Sequence, residues 1–381
     1  MTVNGKPSEH ILGGVDMTLL KIKLSAPLYP NETVTIGFSY RITLANVWHR
    51  TGFGDNTVNL CNIIPLLCPI INGGFTEYPY FSYGDPFVSE IANFEVTLIA
   101  PSKYIVAATG KRTSREADGN KMVYTYSASK VRDFALVLSE RFIIMSETVN
   151  GVEINYFYFK DVNPAKSLKC AVDAYKTFLE LFGNYPYQTL NVVQADFCQG
   201  GMEYPQLVTL SGDLKPEDMP HVIAHEIAHQ WWYGLVGNNQ VEDAWLDEGL
   251  AEFSTMLFYK KNPSYGNYDE LMSEAYAAYK LYVDVVRDYK KNVDTSMNRP
   301  LGGYTNSREY SHMCYLKGML MFESLYKTMG EKRFLKGIKN YYDDNVYTLA
   351  TPDDLFKAFS RAYGAPLDTW FLGWIEGKNV V

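Results

Sequence analysis

The chain has 381 residues and a formal net charge of −8 at pH 7, with 47% apolar and 20% charged side chains. That length accommodates two substantial domains, and the mixture is that of a soluble globular protein. The acidic balance and the absence of any basic run argue against a nucleic-acid partner, because phosphate binding needs a basic surface to displace counterions.

The first third alternates apolar and polar residues in the manner of strands. Thr18–Leu24 and Thr33–Tyr40 have this pattern, separated by a Pro-Asn-Glu turn, and it returns in Phe94–Ile99, Tyr104–Ala108, Met122–Tyr126 and Phe134–Leu138. An antiparallel β-sandwich or saddle is expected. Val152–Phe159 reads as one more strand, Pro164–Phe182 as a helix stopped by Gly183 and Pro186, and Leu190–Phe197 as a strand. Helices are then expected at about 217–234, 243–260, 268–288, 309–329, 331–343 and 352–363. The last opens on Thr351-Pro352-Asp353-Asp354, a cap followed by proline and acids at the positive end of the helix dipole. The chain thus divides into a β domain, 1–145, and an α+β domain, 146–381. No flexible linker marks the joint, so firm packing is expected.

No apolar run approaches the roughly 20 residues of a membrane span, and the first residues lack the apolar core of a signal peptide. A cytoplasmic location is favoured on that ground, with an extracytoplasmic one open if the chain is a fragment. The cysteines Cys61, Cys68, Cys170, Cys198 and Cys314 have no tight spacing, so free thiols are expected rather than a disulfide framework or a thiolate metal site. Asn31-Glu32-Thr33 fits a glycosylation triplet, which is common by chance.

The chemistry concentrates in His225-Glu226-Ile227-Ala228-His229. Histidines four apart on a helix share one face and can share one zinc ion, and a catalytic site needs a third protein ligand while leaving a position for water. Glu226 can sit beside that water as general base. Trp245-Leu246-Asp247-Glu248-Gly249 follows on the next expected helix, with 18 residues between His229 and Glu248. Only one of Asp247 and Glu248 can face the metal, since neighbours on a helix diverge by about 100°. His221 shares the face of the two histidines, but eight residues span about 12 Å, so it cannot join His229 on one ion. A packing or capping role is expected for it.

These residues resemble the aminopeptidase N-like zinc aminopeptidases of the gluzincin group. His225-Glu226-Ile227-Ala228-His229, 18 residues and then Glu248 is that family's ligand spacing, which implies one Zn2+ per chain on His225, His229 and Glu248. Gly200-Gly201-Met202-Glu203-Tyr204 is similar to its GxMEN exopeptidase motif, with Tyr204 in place of asparagine. Tyr315-Leu316-Lys317-Gly318 is similar to the segment carrying its catalytic tyrosine, and Tyr310 matches an active-site tyrosine found in part of the family. The resemblance implies a thermolysin-like catalytic domain with Glu226 as base and Tyr315 as oxyanion donor. It further implies Glu203 as holder of a free α-ammonium, with Gly200, Gly201, Met202 and Tyr310 beside the substrate. Members often carry a carboxylate seven residues after the glutamate ligand; Thr255 stands there, and Glu252 is the nearer candidate to orient a histidine. The family's second amine-binding side chain, from the β domain, aligns to no residue. The first β strands and the family's C-terminal helical domain are expected to be missing, which leaves a more open cleft.

The expected function is hydrolysis of the N-terminal peptide bond of peptides with a free N-terminus, with no membrane segment and no oligomeric state implied. Three rivals stand beside it: a zinc endopeptidase of broader length range, an epoxide hydrolase-type enzyme with which Tyr310 is compatible, and a catalytically inactive binding scaffold.

Overall fold

The computed structural model describes residues 1–290 and 293–378. The paired strands of the first 139 residues are all antiparallel. Ala92–Pro101, Lys121–Val131 and Lys111–Asp118 lie side by side in that order. A second sheet runs Ile105–Ala108, Leu136–Ser139, Val58–Leu60, Thr51–Phe53. The period-two alternation of the central strand turns Tyr124, Tyr126 and Ala128 inward, where they share one apolar cluster with Phe134, Leu136 and Leu138 from the second sheet. The earliest strands are shorter than expected. Leu19–Ile22 pairs with His10–Gly13, and of Thr33–Tyr40 only Ile36–Gly37 is paired, with Thr2–Val3. No buried face fixes them: Ile11, Leu12 and Val15 are exposed, and strands without a core side are weakly specified.

A five-stranded mixed sheet follows, in the order Ile143–Val149, Val152–Tyr158, Thr189–Ala195, Leu207–Ser211, Gly201–Met202. Its three central strands are parallel, and Gly201–Met202 closes one edge antiparallel to Leu207–Ser211. The strands Lys111–Asp118, Ile143–Val149 and Leu207–Ser211 escape the alternation rule. The first two are largely exposed, whereas Leu207–Ser211 is buried throughout.

Helix α1, Pro164–Leu181, starts where the Asn163 side chain accepts from the Lys166 amide. It buries Tyr175 and Phe178 against Phe182 and Trp231. Helix α2, Met219–Ala228, and helix α3, Trp245–Lys261, carry the motif residues. Helix α2 ends earlier than position 234. Beyond it, Gly234, Leu235 and Val236 donate to carbonyls five residues back, a widened turn that buries both Trp231 and Trp232. Helix α4 is Tyr268–Lys290.

The helix expected at 309–329 is three segments. A single turn, α5 (Ser307–Tyr310), is followed by a π-helical stretch, Ser311–Lys317, and then by α6, Gly318–Met329. Helices α7 (Glu331–Asn345), α8 (Pro352–Tyr363) and α9 (Asp368–Ile375) complete the chain. Helix α8 has the expected start, with reciprocal bonding between Thr351 and Asp354, whereas α9 was not expected.

One apolar cluster joins the β-rich part to the mixed sheet, uniting Cys61, Ala135 and Val137 with Val193, Met202 and Tyr204. Buried Arg132 reinforces the joint. Its guanidinium donates to the Ser89 carbonyl on one side and to the Tyr233 and Thr348 carbonyls on the other. All five cysteines are free, and among the described residues no helix is long and apolar enough to cross a membrane.

Candidate active site

Helices α2 and α3 run against one another so that three donor atoms converge. His225 Nε2 and His229 Nε2 are 3.0 Å apart, and Glu248 Oε2 lies 3.4 Å from the first and 3.2 Å from the second. A tetrahedral zinc ion bound at 2.0–2.2 Å holds its ligand atoms about 3.3 Å apart. The three atoms match that edge length, and buried Glu248 Oε2 has no hydrogen-bond partner, so the donor set fits such an ion. The His229 imidazole is held from behind. His229 Nδ1 donates to the Trp232 carbonyl at 2.9 Å, which leaves Nε2 free to coordinate, and His225 Nδ1 lies 3.3 Å from Glu252 Oε1.

Asp247 faces away from the histidines. It accepts from Asn238 Nδ2 at 3.1 Å and from Gln240 Nε2 at 2.9 Å. Placing Glu248 in the first turn of α3 also sets its charge at the positive end of the helix dipole.

A cleft of about 540 Å³ opens over these atoms, lined also by Gly200, Gly201, Glu203, Glu226, Tyr310 and Tyr315. Gly201 lies directly against Glu226: a Cβ there would meet its Oε1 at 2.3 Å. Tyr315 donates to Glu248 Oε1 at 2.5 Å, and its ring stacks on His225. Tyr310 packs edge-on to Tyr315 at 5.7 Å. On an α-helix, residues five apart point about 140° from one another. The π-helical winding between them, with its i→i+5 repeat, brings both rings to one cleft. The glycines of the two helical motifs have their own reason. A Cβ on Gly318 would lie 2.8 Å from Gly249 Cα, so the helices carrying Glu248 and Tyr315 cross backbone to backbone.

Two motif residues do not reach the cleft wall. The Met202 side chain is turned under Arg50, whose Nε donates to its sulfur at 3.3 Å. The Tyr204 hydroxyl points into the β-rich part and donates to Asn62 Oδ1 at 3.0 Å, while Asn62 Nδ2 donates to Asp133 Oδ2 at 3.0 Å. His221 is not a cap, since Asp218 occupies that position. Its side chain is 37% exposed on the cleft wall, 3.4 Å from Glu252 Oε1.

Burial drives the carboxylates of the cleft toward their neutral forms. It pushes Glu226 up to about 8, with His225 opposing and Glu203 adding to the shift. Glu203 rises to about 7 through burial and the nearby Asp85. Glu248 goes the other way. Burial alone would raise it, but the His225 and His229 imidazoles beside it outweigh that and bring it down to about 2.

A family model described as the peptidase family M1 domain matches residues 167–374. The chain belongs to peptidase family M1. This M1 chain is 24% identical to aminopeptidase M1-B of Oryza sativa subsp. japonica over 309 residues, covering 76% of the chain and 34% of that protein. It is 25% identical to the puromycin-sensitive aminopeptidase of Caenorhabditis elegans, covering 79% of the chain and 33% of that protein. It therefore spans about a third of the length of these curated relatives. Among solved structures, an M1 zinc metallopeptidase from Deinococcus radiodurans matches with a TM-score of 0.72 at 17% identity, over 100% of this chain and 84% of that one. A mutant of that enzyme bound to a Tyr-Ser-Ala substrate matches with a TM-score of 0.73 at 18% identity. These structures share the fold of the M1 chain, an N-terminal β domain followed by a catalytic domain.

Three side chains at the M1 cleft carried no readable signal in the sequence. Asp85 comes from the loop Ser82–Asp85 and is bound by buried Arg50, which also donates to the Gly84 carbonyl. Gln240 bridges Asp247 and Glu203, donating to Glu203 Oε1 at 3.3 Å. A Gly-Asp-Pro turn and a loop glutamine look ordinary in a linear sequence, and only the fold sets them beside Glu203.

Proposed function

We infer that the chain is a zinc-dependent aminopeptidase that hydrolyses the N-terminal peptide bond of peptides. One zinc ion per chain would be held by His225, His229 and Glu248. The observation that carries the reading is the buried Glu203 carboxylate in the same cleft as that donor cluster and the Glu226 base. We read the division of labour as two domains, 1–145 and 146–381, with the cleft between them.

When bound, the ion supplies Lewis acidity toward the scissile carbonyl and toward water. Glu226 accepts the proton of the attacking water at a carboxylate oxygen and passes it to the leaving nitrogen; a group poised near neutrality suits both transfers. The Tyr315 hydroxyl donates to the carbonyl oxygen as negative charge builds there. A hydroxyl has one hydrogen, so this donation replaces the bond to Glu248. Glu203 accepts from the substrate α-ammonium, which fixes the scissile bond one residue from a free N-terminus. Gly200 and Gly201 leave the edge strand open to close approach of the peptide backbone. Glu252 orients His225, and Tyr310 flanks the site.

The test compares a free peptide with its N-acetylated form. Losing a charged hydrogen bond of about 1.5–3 kcal/mol predicts acetylated peptides cut about 10- to 100-fold more slowly, with Glu203→Gln abolishing most of that difference. Comparable rates on both peptides in the unmodified protein would favour an endopeptidase. Zinc well below one equivalent with Glu226→Ala unchanged in activity would favour a scaffold.

A further inference from the structure

His221 takes no part in the chemistry above, yet its placement is specific. It sits one turn before His225 on α2, and Glu252 sits one turn after Glu248 on α3. Because the two helices run in opposite directions, stepping back four residues on one and forward four on the other repeats the same pairing. The site made by His225 and Glu248 therefore has a neighbour made by His221 and Glu252, one turn along the same seam.

The atoms bear this out. His221 Nε2 is 3.4 Å from Glu252 Oε1, and the same oxygen is 3.3 Å from His225 Nδ1. The donor atoms of His221, His225 and Glu252 all lie within 4.8 Å of one another. The His221–Glu252 separation matches the edge of about 3.3 Å expected for imidazole and carboxylate on one tetrahedral ion. His221 is part-exposed on the cleft wall, so an ion can enter and water can complete its coordination.

We propose that His221 Nε2 and Glu252 Oε1 form a second, weaker zinc site beside the first. Two protein ligands instead of three make it the weaker one, and imidazole with carboxylate suits zinc-type ions. The two sites are coupled through Glu252. An ion on Oε1 competes for the oxygen that faces His225 Nδ1, and loss of such an outer partner costs metal affinity or activity about 10- to 100-fold. Binding of the second ion therefore lowers turnover. Only this coupling rests on the reading of His225, His229 and Glu248 as holders of the first ion.

The experiment equilibrates the one-zinc protein against rising free zinc and counts bound metal by elemental analysis, with peptide turnover measured in parallel. Two zinc ions per chain are expected at high free zinc, with turnover falling at least about tenfold as the second binds. His221→Gln keeps an amide donor toward Glu252 but is a poor zinc ligand. It should retain the first equivalent and bind the second at least about tenfold more weakly, with turnover protected to the same degree. One zinc ion per chain at every concentration overturns the site, as does a second ion bound equally well by His221→Gln. A second ion that leaves turnover untouched overturns the coupling. The metal count reads the site even on a chain without peptidase activity, so its failure and that of the aminopeptidase reading are separable.

Discussion

Gly200 and Gly201 look interchangeable in the sequence, but the fold gives them different neighbours. A Cβ on Gly201 would stand 2.3 Å from Glu226 Oε1, 2.6 Å from its Cδ and 2.7 Å from its Cγ. Ordinary carbon contacts are about 3.5–4.0 Å, so Gly201→Ala must push the carboxylate more than about 1 Å from its place. A glutamate tip can move without disturbing the core, so the fold should survive. A catalytic group displaced by about 1 Å can lose about 100-fold in rate. At Gly200 the same Cβ would find only Val222, at 3.7 Å, an ordinary contact. Gly200→Ala should therefore act on KM through substrate approach and leave kcat within about threefold. The assay measures kcat and KM on a small N-terminal amide substrate, with zinc content and Tm as controls. Gly201→Ala is expected to keep one zinc ion and nearly the original Tm while kcat collapses. Equal kcat losses in the two variants, or loss of zinc from Gly201→Ala, would refute the assignment of Glu226 as the base held against Gly201.

Gly318→Ala sets a Cβ against the Gly249 backbone, which cannot yield as a side-chain tip does. Overpacking of about 1–3 kcal/mol, less up to about 1 from the better helix former, should lower the denaturant midpoint. An unchanged midpoint would mean that α3 and α6 do not cross there. Tyr204→Phe removes a hydroxyl bonded to Asn62 and should cost about 1–2 kcal/mol of stability, with kcat little changed; a selective loss of kcat would bring Tyr204 into the chemistry. Lys317, fully buried, donates to the Thr295 and Trp374 carbonyls, and burial lowers it from 10.5 to about 8. Between those values the unfolded chain binds more protons than the fold, so its contribution to stability grows as pH rises from 8 to 10.5, by roughly 3 kcal/mol in all. The stability of the parent relative to Lys317→Met should rise over that window; a flat difference in chemical denaturation would contradict the shift.

The parts of the site legible in sequence are those whose geometry is regular. His225 and His229 lie four apart on an α-helix, and periodicity alone puts them on one face. The distinction between Asp247 and Glu248 needed the packing of α3 on α2, and in the sequence only the resemblance decided it. Tyr310 and Tyr315 show the limit most clearly. Their five-residue spacing is wrong for a shared face in the α-helix expected at 309–329, and the π-helical stretch reconciles it. Arg50, Asp85 and Gln240 were invisible because their roles depend on chain segments far apart in sequence. In the β-rich part, the long strands around Phe134 were readable because one face is buried, whereas the first forty residues alternate without a core to fix them.

The charge of the cleft supports its proposed chemistry independently of any motif. Asp85, Glu203, Glu226, Glu248 and Glu252 all line it, and all are largely removed from water. Arg50 offsets Asp85 alone among them. Burying that many carboxylates is costly unless cations arrive to share them, which is why burial holds Glu203 and Glu226 near neutrality. A dication on the histidine side and an ammonium at Glu203 supply three positive charges toward Glu203, Glu226 and Glu248, while Glu252 has His221 beside it. A peptide with a blocked N-terminus brings one charge fewer and leaves Glu203 buried without a cationic partner. Selection for a free N-terminus then follows from the balance of buried charge as well as from a hydrogen bond, and it should change little between low and high salt, because buried groups are screened little.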